Sequence, residues 1–182
     1  LASYVDSTRW MLEDCDSAQG VQLFADADSA FGGVATSLLE RLDDEFGVPA
    51  TVCHASFPAT GAADPESNFA EVCRQEQHLN RALATHMLSS ACSWYTPLEV
   101  GQWRFPHLPG FDREDDVITA ALGAAWADTV TYAARQADHA KYESLGALAT
   151  LLKPAPSMRI ASAMIALPFP VRAPVSDLVN DR

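Results

Sequence analysis

The chain has 182 residues, 48% of them apolar and 20% charged, enough to bury a core of one domain or slightly more and too apolar for a disordered tail. Twelve basic against 24 acidic side chains leave a net charge of -12, which repels a phosphate backbone or an anionic lipid surface and argues against nucleic-acid binding. The longest apolar stretches, such as Ile160 to Phe169, fall short of the roughly 20 residues of a membrane-spanning helix.

Taken in order, apolar residues at Tyr4, Val5, Met11, Leu12 and Cys15 predict an amphipathic helix from Tyr4 to Cys15. Gly20 precedes a short apolar run, Val21 to Ala25, which reads as a buried strand. After Phe31-Gly32-Gly33, the positions Val34, Ala35, Leu38, Leu39, Leu42 and Phe46 mark one helix face, stopped by Gly47 and Pro49. Thr51 to Phe57, β-branched and apolar before Pro58, predicts the second strand. Ala59 to Pro65 is a loop, and Asp64-Pro65-Glu66 starts a third helix whose buried stripe is Phe69, Val72, Leu79, Leu83 and Met87. Ser90 to Tyr95 reads as a strand, followed by a proline-rich connection from Pro97 to Gly110. Acidic residues between Asp112 and Asp116 head an alanine-rich helix through Val117, Ile118, Leu122, Trp126 and Val130, where the helix dipole favours negative charge. A short helix near Leu145 to Leu152 and a final strand from Met158 to Leu167 complete the reading.

Strands separated by helices require crossover connections, so the expected fold is α/β, a parallel sheet flanked by helices. Such sheets bind ligands at the carboxyl ends of their strands, which directs attention to the turn from Ala25 to Gly33. There, Gly32-Gly33 at a helix start has two readings: a backbone cradle for phosphate, or a tight turn that lets helix and sheet approach. The lack of a P-loop lysine or a GxGxxG pattern, with Asp26 and Asp28 alongside, favours the second.

Four cysteines, Cys15, Cys53, Cys73 and Cys92, form no CxxC pair and read as reduced core thiols. The five histidines are His54, His78, His86, His107 and His139. His78 and His86 stand two helical turns apart, too far for one metal without a third element. His54 and Cys53, adjacent on a strand, point to opposite faces and form no dyad. Asp115-Asp116 reads as a helix cap rather than a catalytic pair. Trp94-Tyr95 and Trp103 with Phe105 read as core aromatics ahead of a partner surface. With no nucleophile elbow and no HExxH pattern, an unrelated α/β enzyme would need Cys or His groups brought together only by the fold.

Several segments are more informative together. Leu12-Glu13-Asp14-Cys15-Asp16-Ser17-Ala18-Gln19-Gly20-Val21-Gln22, then Phe31-Gly32-Gly33-Val34-Ala35, then Leu38-Leu39-Glu40-Arg41-Leu42 resemble the Misato family of tubulin-like proteins. Ala18 and Val21 stand where that family usually has Leu and Phe. The resemblance implies a tubulin/FtsZ-like nucleotide-binding-domain topology, incomplete at the amino terminus, with the family's first strand and nucleotide loops expected ahead of Leu1. Residues 1–182 would then form part of one domain: strand-helix units over 1–110, a long central helix over 111–139, and a short helix with a final strand over 140–182. Asp28 to Gly33 matches the place of tubulin's glycine-rich phosphate loop, which makes Asp28, Ser29, Gly32 and Gly33 the candidate contacts for GTP or GDP with magnesium. Where tubulin has Gly-Gly-Gly-Thr-Gly-Ser-Gly, this chain has Ser29-Ala30-Phe31-Gly32-Gly33-Val34-Ala35. The implied function is non-enzymatic, in mitochondrial distribution, morphology and inheritance, in the cytoplasm and at the mitochondrial outer surface. Its expected partners are proteins, cytoskeletal or mitochondrial; the alternative is a GTP-binding or GTP-hydrolysing relative of tubulin. A parallel sheet without its first strands is expected to expose apolar edges and to be marginally soluble.

Overall fold

A computed structural model describes residues 2–57, 68–99, 103, 111–112, 115–136, 144–153, 155 and 157–165. In chain order the elements are α1 (Ala2–Glu13), β1 (Val21–Asp26), α2 (Phe31–Phe46), β2 (Thr51–Ser56), α3 (Asn68–Ala91), β3 (Trp94–Leu98), α4 (Asp116–Thr131), a 3-10 turn (Ala133–Arg135) and α5 (Leu145–Leu151). The strands form one parallel sheet in the order β1-β2-β3. In register, Phe24 lies beside His54 and His54 beside Thr96. The α/β expectation is met. Among the described residues β1 pairs only with β2.

Side-chain alternation along the strands divides the core in two. On one face Ala25, Cys53, Ala55 and Tyr95 pack with Leu39 of α2 and with Ala84 and Leu88 of α3. On the other, Val52, Trp94 and Leu98 meet Trp126 and Ala127 of α4 and Leu145 and Ala149 of α5. Two glycines are fixed by geometry. Gly47 ends α2 in the left-handed region at φ 56° and donates to the Asp43 carbonyl at 2.9 Å. Gly20 lies at φ 148°, where an added Cβ would sit 2.3 Å from the Ala50 carbonyl oxygen.

Several expectations need correction. α1 buries only Val5; Tyr4, Met11 and Cys15 are exposed, since α1 merely flanks α2 and is tied to it by Arg9, which bonds Glu45 at 3.0 Å and lies over the Phe46 ring. The third helix is inverted. Val72, Leu79, Leu83 and Met87 face solvent, while Ala84 and Leu88 face the core. Close approach explains this: a Cβ on Gly32 would lie 2.8 Å from the Ala84 Cβ, so α2 and α3 come nearest at these two small residues. Helix α3 also runs on through Ser90 and Ala91, which delays the third strand to Trp94–Leu98. The final strand shrinks, among the described residues, to one parallel bridge between Ile160 and Tyr95. Cys53 and Cys92 are buried as expected, but Cys15 is exposed and Cys73 half-buried. Within the span of 111–139, the described residues form helix over Asp116–Thr131. The loop from Ala59 to Pro65, the helix start at Asp64-Pro65-Glu66, and Phe69 (side chain), Phe105, His107 and His139 lie outside the described residues. No described helix is long and apolar enough to cross a membrane.

Candidate functional site

The turn between β1 and α2 brings Asp28, Ser29, Gly32 and Gly33 together at the carboxyl end of a strand and the start of a helix. Asp26 organises it: one carboxylate oxygen accepts the Asp28 backbone N–H at 3.0 Å, the other the Ser29 hydroxyl at 2.7 Å. The helix-start donors are used locally. Phe31 N–H donates to Ser29 Oγ (3.3 Å), Gly32 N–H to the Ser29 carbonyl (3.2 Å), and Gly33 and Val34 N–H to the Ala30 carbonyl (3.1 and 3.3 Å).

Asp28 itself points inward, with its side chain 5% exposed. Arg81 of α3 grips it in a bidentate pair, Nε to Oδ1 at 2.6 Å and an Nη to Oδ2 at 2.8 Å, the fork geometry that makes such pairs strong and directional. Asn80 adds a bond from its side-chain amide to the Asp28 carbonyl at 2.9 Å. The Arg81 guanidinium also lies 5.4 Å from the centre of the Phe57 ring, and the bond to Asp28 holds its pKa above the ordinary value. Arg81 and Asn80 had no signal in the sequence, because they stand 53 and 52 residues from Asp28 and resemble any polar residue of an amphipathic helix.

Tested against GTP, the residues of this turn fit poorly. A phosphate at a helix start needs outward N–H donors, and the four from Phe31 to Val34 already have acceptors. The carboxylate of Asp26, bound to the turn's own Asp28 N–H and Ser29 hydroxyl, adds negative charge beside these donors.

The opposite face of the sheet holds a second arrangement. A groove of about 580 Å³ runs between β1 and α4, bordered by Phe24, Leu98, Thr119, Ala120 and Gly123. Beside it His54 is fully buried. Its ring centre is 4.8 Å from that of Phe24, 5.8 Å from Trp94 and 5.4 Å from Trp126, edge-on to both tryptophans. Neither ring nitrogen has a hydrogen-bond partner among the described residues, and the same holds for Trp94 Nε1 and Thr96 Oγ1. Burial without an acceptor disfavours the imidazolium and pushes the His54 pKa down to about 4. Burial also pushes the Cys53 thiol up, Cys92 to about 11 and Tyr95 to about 12, so these groups stay protonated at neutral pH. As the alternation required, Cys53 and His54 belong to opposite faces.

The other candidates stay apart. Asp115 caps α4, accepting from Val117 and Ile118 N–H at 2.8 and 3.2 Å. Trp94 and Tyr95 are core residues and Trp103 packs against the α4-side core. Among the described residues no three His, Cys, Asp or Glu side chains come together to hold a metal.

Comparison with known proteins addresses the resemblance directly. Residues 5–136 match the family model described as a tubulin domain. The chain is 32% identical to the protein misato of Drosophila melanogaster over 181 residues, covering 93% of this chain and 30% of that protein. It is 30% identical to the protein DML1 of Gibberella zeae, covering 93% and 32%, and 27% identical to the protein dml1 of Aspergillus clavatus, covering 72% and 25%. The chain thus spans about a third or less of the length of these curated relatives. A parallel sheet in the order β1-β2-β3 with its flanking helices, a tubulin-domain match over most of the chain and these relatives agree: the chain belongs to the Misato family of tubulin-like proteins.

Proposed function

We propose that this chain is part of a non-catalytic, tubulin-like scaffold that acts through protein contacts in the distribution, morphology and inheritance of mitochondria. It works in the cytoplasm and at the mitochondrial outer surface, with cytoskeletal or mitochondrial-surface proteins as partners. One observation carries the non-catalytic part: the β1–α2 turn is closed by its own oxygens, and Asp28 is held inward by Arg81. Such a turn stabilises the fold without a ligand. The mitochondrial part is supported by the likeness of Leu12 to Gln22 and Phe31 to Ala35 to Misato segments. Depletion of the intact protein in cells tests it: fragmented or unevenly partitioned mitochondria are expected, and normal networks with normal partitioning would sink the reading.

A second reading, a GTP-binding relative of tubulin, is favoured by the position of the turn between a strand end and a helix start. Titration of nucleotide-stripped protein with fluorescent GTP, with and without magnesium, decides between the two. No binding at millimolar nucleotide is expected; saturable binding that GDP and GTP compete away would overturn the first reading.

A further inference from the structure

The outward face of α3 is built like the inward face of an ordinary helix. Val72, Leu79, Leu83 and Met87 recur at intervals of seven, four and four residues, within roughly one helical stripe that they share with the exposed Glu76. They are 51%, 60%, 50% and 43% exposed. Scattered apolar residues on a surface are ordinary, but an aligned row on one helix marks a binding face. The inward side of the same helix is fully engaged by Gly32, Asp28 and Tyr95 through Ala84, Arg81 and Thr85.

Charge decides what fits there. On α2, packed beside α3, the exposed charged residues are Glu40, Asp43, Asp44 and Glu45 against Arg41 alone. On α3 itself, among the described residues, Glu76 is the exposed charged side chain, and the whole chain carries a net charge of -12. A second copy would bring the same excess of negative charge to the contact. A partner with apolar residues on one stripe and lysine or arginine on its flanks gains both burial and charge pairing. We propose that the outer face of α3 docks a basic amphipathic helix of a partner protein. This deepens the protein-contact reading above and rests on it.

The test uses the whole 182-residue chain and a fluorescein-labelled model helix of leucine and lysine, its leucines at i, i+3, i+4 and i+7. A companion peptide carries glutamate in place of every lysine. Anisotropy should show saturable binding of the basic helix, weakened by salt, and little of the acidic one. L79S/L83S should weaken the basic helix about tenfold, the scale of losing a central apolar anchor. Both positions are exposed, so the melting curve of this variant should match the parent. E40K/D44K should weaken the basic helix without touching the apolar stripe. Equal binding by L79S/L83S and the parent would overturn the proposal, because charge alone would then hold the peptide. So would a failure to saturate, or sedimentation showing a dimer of the chain that L79S/L83S dissolves, since a second copy would then be the occupant. These outcomes remove the docking face only; the protein-contact reading falls to the depletion experiment in cells.

Discussion

On the α2 and α3 side of the sheet, small side chains meet at close range and the buried charge is paired: Gly32 against Ala84, Asp28 in the fork of Arg81. On the α4 side, large rings surround His54, and three polar side chains, His54, Trp94 and Thr96, end in atoms without partners among the described residues. The first face is held by polar matching and close fit, the second by ring area. Their vulnerabilities should therefore differ: removal of a ring opens a cavity, removal of a cation strands a charge, and acid acts on the unpaired histidine.

Trp126→Ala should do the most damage. It empties the ring contact of α4 with His54 and Trp94 of the sheet, where Trp126 is 5% exposed, at a cost of about 4 kcal/mol in urea unfolding. A loss below about 1 kcal/mol would mean that α4 is not the anchor of that face. The pH dependence comes next. His54 has a folded pKa of about 4 against 6.5 unfolded, so the unfolded chain takes up the proton first. Stability is lost as pH falls from 6.5 toward 4, at up to about 1.4 kcal/mol per pH unit, for a total near 3 kcal/mol. His54→Leu should flatten that part of the profile, and a parallel slope in both proteins would remove His54 as the cause. On the opposite face, Arg81→Met leaves Asp28 buried and unpaired. The expected loss is about 2 kcal/mol, at the low end for buried pairs because the Arg81 side chain is a quarter exposed. Adding Asp28→Leu should recover much of it, and strict additivity of the two changes would show that the pair is not coupled. Smallest is Asp115→Ala, which deletes the α4 cap bonds and should cost about 1 kcal/mol in thermal unfolding.

How much of this was legible in the sequence depends on the range of the interaction. Helix α2 was readable because its signals are local: an apolar periodicity ended by Gly47, the residue that adopts φ 56° at least cost. β2 was readable as an apolar, β-branched run, and Asp115 as a cap from its place ahead of Val117. The partner of Asp28 was not readable, since no local rule links it to Arg81, 53 residues away. The inversion of α3 shows a different limit. Periodicity identifies a stripe, but Ala84 lies on a second one, and the choice between them is made by the close approach to Gly32 on another helix. The same holds for the row of Phe24, His54 and Thr96, which exists only through the register of three strands.

The edge of β1 that meets no strand among the described residues has a consequence for handling this 182-residue chain. Val21–Asp26 reads VQLFAD, with one charge at its far end and no proline, lysine or bulge to blunt it, and Phe24 is 59% exposed. Such an edge recruits other extended chains, its own unfolded copies first, and cross-strand stacking then grows with concentration. Storage life should therefore be limited by β1 rather than by the melting temperature, and a lysine at Phe24 should lengthen it even at some cost in stability.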